Sequence, residues 1–368
     1  MFELKALFYT ILKYLNFIFV GALLLSYLSI YVSPEKIWFL AFFGLAYPFL
    51  LIVNFLYIFF WAYKKRRLFI LSILAILLGW NYIGTYIQIP VKRDKQESEV
   101  SEQKFKILSY NVRLFDLYEW NEKENTQGEI FDFINSGNFD IICFQEFFTK
   151  NTGGLTKQKI QEKLSDKFHE HVDYTIENKN YNYGIATYSR YPIVNRGVIN
   201  FNNSSNSSIY TDVLINKDTV RIFNNHLQSI RFNKNNYSFI TNSKALKEDE
   251  KLREIKDISF RLRDAFIKRA SQANILAKHI KSSPYPVIVC GDFNDVPVSY
   301  TYRTMRKNLN DSFIEAGKGI GTTYTGKFPS FRIDFIFHSR DIRCTEFDIP
   351  DIRLSDHYPV TSSFILER

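Results

Sequence analysis

The sequence predicts an α/β protein: a layered sandwich of two packed β-sheets flanked by helices, preceded by three transmembrane helices. Two observations predict it. In residues 105–368, short apolar strands alternate with segments of helical spacing, which favours helix layers packed on sheets. In residues 1–90, three long apolar runs follow one another. We therefore expect a transmembrane anchor at residues 1–90, a linker at residues 91–104 and a folded domain at residues 105–368.

The apolar runs cover about residues 8–32, 37–63 and 68–89, and each is long enough to cross a hydrocarbon core of about 30 Å. Short loops that carry Lys and Arg stay in the cytoplasm, so Lys5, Lys13 and the basic cluster at residues 64–67 are expected inside. The third run then leads outwards. We expect an integral protein of the cell inner membrane, embedded in its lipid bilayer, with the folded domain on the periplasmic side.

Charge and cysteine content restrict the partners only weakly. Residues 1–90 hold seven of the 47 Lys and Arg and two of the 38 Asp and Glu, which leaves 40 basic against 36 acidic residues in the rest. That small excess permits a polyanionic substrate without demanding one. Cys143, Cys290 and Cys344 are an odd set without zinc-ligand spacing, which argues against a disulfide framework and a zinc site. Nothing in the sequence implies an obligate protein partner.

The folded domain begins with two strands that each end on a polar residue. Strands are predicted at residues 105–112 and 140–146, with a helix at 128–136 between them. Further elements follow in order: a solvated helix at 158–167, a strand at 183–193 that runs into a Pro-bearing turn, and a hairpin that pairs 209–215 with 220–226.

The second half of the domain begins with a highly charged stretch at residues 233–259, which we interpret as a solvent-facing helical insertion. Apolar residues return at helical spacing in 260–280, so a packed helix is expected there. Strands are predicted at 333–337 and 360–365.

One strand organises the rest. Val287 to Cys290 are four consecutive apolar residues, so the strand is expected to be buried on both faces and to deliver Asp292 and Asn294 at its end. Burying an acid and an amide is costly, which favours a role in holding a metal, a water or a phosphate. The alternative is an Asx-turn that merely closes a core strand.

Polar and ionisable residues recur at strand ends throughout the domain. The candidates are Asn111, Glu146, His226, Asp292, Asn294, Asp334, Asp356 and His357. Carboxylates and amides without cysteine suit a hard cation, Mg²⁺ or Mn²⁺, better than zinc. The two histidines can orient, donate protons to, or stabilise a phosphoryl group.

These motifs, in this order, resemble the magnesium-dependent endonuclease/exonuclease/phosphatase superfamily. The resemblance rests on Ser109-Tyr110-Asn111-Val112-Arg113, Gln145-Glu146, residues 184–193, Asn225-His226-Leu227, Gly291-Asp292-Phe293-Asn294, Arg332-Ile333-Asp334-Phe335-Ile336 and Ser355-Asp356-His357-Tyr358-Pro359-Val360. Each motif is weakly specific alone, whereas the ordered set is strongly specific. The resemblance implies a four-layer α/β sandwich and hydrolysis of a phosphoester; the membrane runs lie outside it.

The resemblance also implies metal ligands. Glu146 matches the principal metal ligand, and Asn111 beside it would bind metal or phosphate. Asp356 would bind a second metal or support the first.

The remaining residues match the reacting groups. Asp292 would activate the attacking water, and Asn294 would hold that water or a phosphate oxygen. His357 would contact the scissile phosphate, with Asp334 fixing its tautomer. His226 would contact phosphate or act as a general acid. Attack would be in line.

Three functions remain open at this point. The first is a membrane-anchored, metal-dependent nuclease acting on nucleic acid, and the second is a phospholipid or sphingolipid phosphodiesterase or phosphatase with the same chemistry. The third is a non-catalytic binding module, which the complete set of acids, amides and histidines disfavours.

Several neighbours stay outside the catalytic set. Arg190 is interpreted as a turn and packing residue, and Arg269 with Gln272 as support for the site. Tyr324, Phe328 and Phe331 form an aromatic run that fits core or rim, or else base stacking or a lipid contact.

Overall fold

The computed structural model describes residues 2–89, 104–120, 125–164, 168–202, 204–233, 235, 236, 238, 239, 247–326 and 330–367. The predicted linker lies outside these residues except for Lys104. Phe328, the end of the predicted helix at 158–167 and part of the stretch at 233–259 also lie outside them.

The helices are α1 Phe2–Ser29, α2 Leu40–Leu45, α3 Tyr47–Tyr63, α4 Phe69–Leu78, α5 Trp80–Ile83, α6 Thr126–Ser136, α7 Lys157–Lys163, α8 Glu248–Lys281, α9 Tyr300–Met305 and α10 Ser312–Ala316. The strands are β1 Ile87–Gln88, β2 Lys104–Asn111, β3 Ile141–Lys150, β4 His169–Glu177, β5 Tyr181–Ser189, β6 Ile193–Ile199, β7 Ser208–Ile215, β8 Asp218–His226, β9 Val287–Asp292, β10 Asn310–Asp311, β11 Gly319–Ile320, β12 Asp334–His338, β13 Ile342–Asp348 and β14 Val360–Leu366.

Two six-stranded sheets form the body of the domain. One has the order β10-β12-β9-β8-β7-β6 and the other β13-β14-β2-β3-β5-β4. Each contains one parallel pair at its centre, β8 with β9 and β2 with β3. The carboxyl ends of these four strands lie at the same edge of the sandwich, because β2 and β9 deliver contacting side chains there, Asn111 and Asp292.

Apolar side chains fill three interfaces between layers. Ile107 and Cys143 of one sheet meet Ile222 and Cys290 of the other in the central layer. The outer face of the β2–β3 sheet packs against α6 and α7, and the outer face of the β8–β9 sheet packs against α8 and α9. The order helix, sheet, sheet, helix is the four-layer sandwich that was predicted.

The predicted strands and the hairpin are confirmed within a few residues. Three strands of more than two residues were missed: β4, β6 and β13. All three lie at sheet edges, and each has a register shift that interrupts the two-residue alternation of a half-buried strand. The part of the charged stretch from Glu248 onwards and the packed helix that follows it form one 34-residue helix, α8.

The N-terminal region differs from the expected three spanning helices. Within the part of the chain that the structure describes, one helix, Glu3–Ser29, has the length and hydropathy to cross a membrane, a test that a signal sequence also passes. The second run breaks at Ala46 into α2 and α3, and the third breaks at Gly79 into α4 and α5. Helices α3 and α4 have 17 and 10 residues.

A reason for the break in the second run is that α2 packs against the folded domain. A Cβ built on Gly44 would lie 2.3 Å from the carbonyl oxygen of Val298, so glycine allows the two backbones to approach closely. Strand β1 adds a second connection by pairing antiparallel with β11. A third is the hydrogen bond that Arg332 Nη1 donates to the carbonyl oxygen of Thr85, at 3.0 Å. The N-terminal region is therefore packed onto the sandwich.

Candidate active site

The site lies where the central strands of both sheets end. His226 closes β8 and is the register partner of Asp292, which closes β9. Asp334 opens β12, the antiparallel neighbour of β9, and is also paired with Asp292. Sheet register alone therefore places three of the predicted residues side by side.

Asp292 is the centre of the hydrogen-bond network. Its carboxylate accepts from Asn111 Nδ2 at 3.0 Å, from the Asn294 backbone N–H at 2.8 Å and from Asn294 Nδ2 at 3.1 Å. The side chain is buried, and burial raises the pKa of Asp292. The Asx-turn alternative is correct as local geometry, yet the bond from Asn111 on the opposite sheet exceeds what a turn requires.

The backbone around Asp292 is held in special conformations. Gly291 has φ +129°, and a Cβ there would lie 2.0 Å from the carbonyl oxygen of Asn225, so only glycine fits. Asn294 has φ +53°. This turn directs Asn294 Nδ2 back onto Asp292 and onto the Leu227 carbonyl oxygen, at 3.0 Å.

Glu146 protrudes from a β-bulge. The register between β3 and β5 shifts between Phe144 and Phe147, and Glu146 has φ +51°. A bulge of this kind redirects a side chain out of the strand alternation. Burial, together with the nearby carboxylate of Asp356, raises the pKa of Glu146 to about 7.

His357 and Asp334 form a buried pair. His357 Nδ1 lies 2.9 Å from Asp334 Oδ2, and Nε2 lies 3.7 Å from Asp292 Oδ2. Burial by itself would lower the pKa of His357, but the carboxylates of Asp334 and Asp292 outweigh it and hold this pKa well above its usual range. Thr323 Oγ1 accepts from the Asp334 backbone N–H at 3.0 Å, and the Tyr324 ring packs edge-on against the imidazole.

The pKa of His226 is shifted in the opposite direction from that of His357. Burial lowers its pKa to about 4, so the imidazole is neutral at neutral pH. Its Nε2 is buried without a hydrogen-bond partner among the described residues, 3.9 Å from Glu146 Oε1 and 3.8 Å from Asp292 Oδ2. A neutral imidazole is suited to donating a hydrogen bond, whereas the general-acid role requires a proton that this ring does not carry at neutral pH.

Asp356 lies at the rim of the candidate site. Its carboxylate is 3.4 Å from Arg113 Nε and accepts from Ser355 Oγ at 3.3 Å. The Arg113 guanidinium stacks on the Trp120 ring, 4.1 Å from the ring centroid. Arg113 was not predicted as a site residue, although it belongs to the first motif.

Some supporting residues were also missed. Gln145 Nε2 donates to Asn224 Oδ1 at 2.7 Å, a buried amide bridge between the two sheets directly beneath the site. By contrast, support from Arg269 and Gln272 was expected and is present. Arg269 lies 3.4 Å from Asp295 and donates to the Gln228 carbonyl oxygen, and Gln272 Oε1 accepts from the Gln228 N–H at 2.9 Å.

The arrangement fits a divalent cation. Asp292, Asp334 and His357 bring carboxylate and imidazole atoms within 4.8 Å of one another, although the hydrogen bond between His357 and Asp334 already engages two of these side chains. Glu146 and Asp356 add two carboxylates to the same cleft. Closely spaced oxygen ligands and the unpartnered Nε2 of His226 are the surroundings that a hard cation and its bound water would satisfy.

The sandwich and this oxygen-rich edge define a phosphoester hydrolase. The family model described as Endonuclease/Exonuclease/phosphatase family matches residues 108–357, and the chain belongs to that family. Its members generally depend on a divalent metal, and a buried Asp/Asp/His cluster is present here. A second model, a domain of unknown function, matches residues 7–86.

Solved structures share the fold at low sequence identity. An endonuclease/exonuclease/phosphatase from Bacteroides vulgatus is 17% identical, covers 72% of this chain and 100% of its own, and has a TM-score of 0.53. A counterpart from Beutenbergia cavernae is 15% identical, with 72% of each chain covered and a TM-score of 0.52. A humanized D. rerio TDP2 is 14% identical, with 71% and 98% covered and a TM-score of 0.50. No curated protein matches this sequence.

Proposed function

We propose that the protein hydrolyses phosphodiesters with a divalent metal, Mg²⁺ or Mn²⁺, through water activated at Asp292. The single observation that carries this proposal is the buried pair His357–Asp334 placed beside Asp292. A protonated imidazole next to a carboxylate supplies a cationic donor for phosphate and a base for water within one cleft.

The protein's own groups have these roles. Asp292 orients the water and takes its proton, and Asn294 positions the water through Nδ2. His357 donates a hydrogen bond from Nε2 to the phosphate, while Asp334 holds its Nδ1. His226 donates a hydrogen bond from a neutral N–H to the same phosphate. Water adds to phosphorus in line, the P–O bond to the leaving group breaks, and one proton passes to the leaving oxygen.

The metal would be held by Glu146, which protrudes from its bulge, with Asn111 and Asp356 completing the oxygen set. When bound there, the cation would neutralise charge that develops on the phosphate and leaving oxygens.

The location belongs to the proposal as well. We place residues 1–90 in the inner membrane as an anchor, residues 91–104 as the linker and residues 105–368 in the periplasm as the catalytic domain. The support is the 27-residue apolar helix and the basic cluster at residues 64–67. Nucleic acid is the first candidate substrate and phospholipid or sphingolipid the alternative, and the sequence does not decide between them.

Hydrolysis of a phosphodiester by the detergent-solubilised full-length protein tests the proposed chemistry. We expect a generic phosphodiester, bis(p-nitrophenyl) phosphate, to be hydrolysed with Mg²⁺, to be stable in excess EDTA and to be hydrolysed again after Mg²⁺ is restored. Undiminished hydrolysis in EDTA, or none with Mg²⁺ and Mn²⁺, would contradict the proposal.

A further inference from the structure

The active-site residues open into a largely apolar cavity of about 560 Å³. Glu146, Asp292 and His357 line its polar end. Phe232, Phe266 and Phe331 contribute to its apolar walls. This volume lies within the range that buries a small organic ligand. A catalytic cleft for a wholly polar substrate does not require such walls.

The N-terminal region supplies part of these walls. Phe42, Leu45 and Ala46, at α2 and its end, line the cavity together with Phe49 of α3. The Phe49 ring packs edge-on against Phe331 of the sandwich. The N-terminal region and the catalytic residues therefore line the same cavity.

The charges in this cavity disfavour a polyanion. Arg269 is the only Lys or Arg among the described residues that line it, and its guanidinium is buried against Asp295. Four acidic residues line the same cavity. A nucleic acid presents one phosphate per nucleotide and is bound through many Lys and Arg contacts. A substrate with one phosphate at the polar end of the cavity and an otherwise uncharged structure fits this lining better than a nucleic acid does.

Two apolar surfaces lead from the cavity to the outside. On α3, Phe49, Ile52 and Leu56 lie on one helix face and are 50%, 56% and 62% exposed. On α8, Leu262 and Phe266 line the cavity, and the same face continues through Ile258, Ile255 and Leu252 towards the start of the helix. Of this second stripe, Leu252 is 64% exposed.

We infer that the substrate is an amphiphilic phosphodiester, whose hydrocarbon chain lies in this cavity between α2, α3 and α8 while its phosphate lies at Asp292 and His357. This inference rests on the proposed hydrolysis and puts the second of the two candidate substrates first. A chain bound beside the membrane helices would reach the site from the lipid bilayer without crossing water.

Two esters with the same leaving group test it. The full chain in one type of detergent micelle, with Mg²⁺, is given p-nitrophenyl methyl phosphate or p-nitrophenyl hexadecyl phosphate. In both, water adds to phosphorus, the P–O bond to the aryl group breaks, and p-nitrophenol leaves. We expect kcat/KM to be at least about tenfold higher for the hexadecyl ester, the effect of burying about two methylene groups.

Variants of cavity residues then test where the hydrocarbon chain of the substrate binds. Phe49→Ser should lower the ratio of the two kcat/KM values about tenfold, and so should Leu262→Ser, which gives the same test from another helix if the first variant fails to fold. Phe8→Ser is the matched control: it is an exposed Phe on α1 that does not line the cavity, and it should keep the ratio.

The outcomes separate the two proposals. If neither ester is hydrolysed, the proposed function fails. If both are hydrolysed with equal kcat/KM, or if single-stranded DNA is hydrolysed faster than either, the hydrolase stands and the amphiphilic substrate is wrong. A high ratio that both cavity variants leave intact, or that Phe8→Ser lowers equally, would also overturn the inference.

Discussion

The imidazole Nδ1 of His357 lies 2.9 Å from the Asp334 carboxylate, although Asp334 opens β12 and His357 lies in the segment between β13 and β14. Asp334→Asn should keep the shape of the site but remove the charge that orients and protonates the ring, and His357→Ala should remove the ring itself. We expect each to lower kcat by about 10²–10⁴-fold. Steady-state hydrolysis of the hexadecyl ester measures this.

The double variant decides whether the pair acts as a unit. If it does, Asp334→Asn combined with His357→Ala should be little worse than His357→Ala alone. Losses that multiply would show independent roles and would remove the support for Asp334 as the orienting residue.

We predict that Glu146 is a ligand of the divalent metal. Glu146→Gln keeps the size of the side chain and removes one negative ligand, so kcat should fall by about two or more orders of magnitude and the Mg²⁺ concentration for half-maximal activity should rise. Circular dichroism should show an intact fold. Glu162→Gln, a change of the same type at an exposed position on α7, should have no effect. Equal Mg²⁺ dependence of Glu146→Gln and the unaltered chain would refute the assignment.

Asp311 and Arg332 form a buried ion pair next to the contact with the N-terminal region. Arg332 Nη2 lies 2.5 Å from Asp311, and both side chains are buried. Asp311→Asn would leave the guanidinium buried without its counter-charge, which costs about 3–5 kcal/mol of unfolding free energy. Asp351→Asn, which breaks the exposed pair with Arg353, should cause no measurable change. Thermal unfolding of the solubilised chain compares them, and equal melting temperatures would contradict the prediction.

His171 should make the fold sensitive to acid. Its Nδ1 lies 2.8 Å from Thr211 Oγ1, and burial, with Arg196 nearby, lowers its pKa to about 4 from about 6.5. Between these values the unfolded chain binds more protons than the native one, so stability falls as pH drops through this window, by up to about 3 kcal/mol. The melting temperature of His171→Gln should depend less on pH between 6.5 and 4. His169→Gln, at an exposed position on the same strand, should behave like the unaltered chain.

The side of the membrane can be tested directly. If the basic cluster at residues 64–67 is cytoplasmic, protease added to intact spheroplasts should digest the catalytic domain while a cytoplasmic marker survives. Full protection of the domain would place it in the cytoplasm.

The sequence by itself determined the central strands and the candidate site residues. Asn111, His226 and Asp292 each end an apolar strand, and strand periodicity is a local property that neighbouring residues encode. The family followed from the order of such strand ends. The edge strands β4, β6 and β13 were not predicted because a register shift in each interrupts that local pattern.

Only the tertiary structure decided how these groups meet and what surrounds them. The bulge that redirects Glu146, the opposite protonation of His226 and His357, and the break between α2 and α3 all depend on partners distant in the chain. The sequence presents the N-terminal runs as apolar, and apolarity has the same signature whether a residue faces lipid or an active site. Packing of α2 and α3 against the sandwich distinguishes the two, because burial against a particular neighbour is a property of long-range contacts.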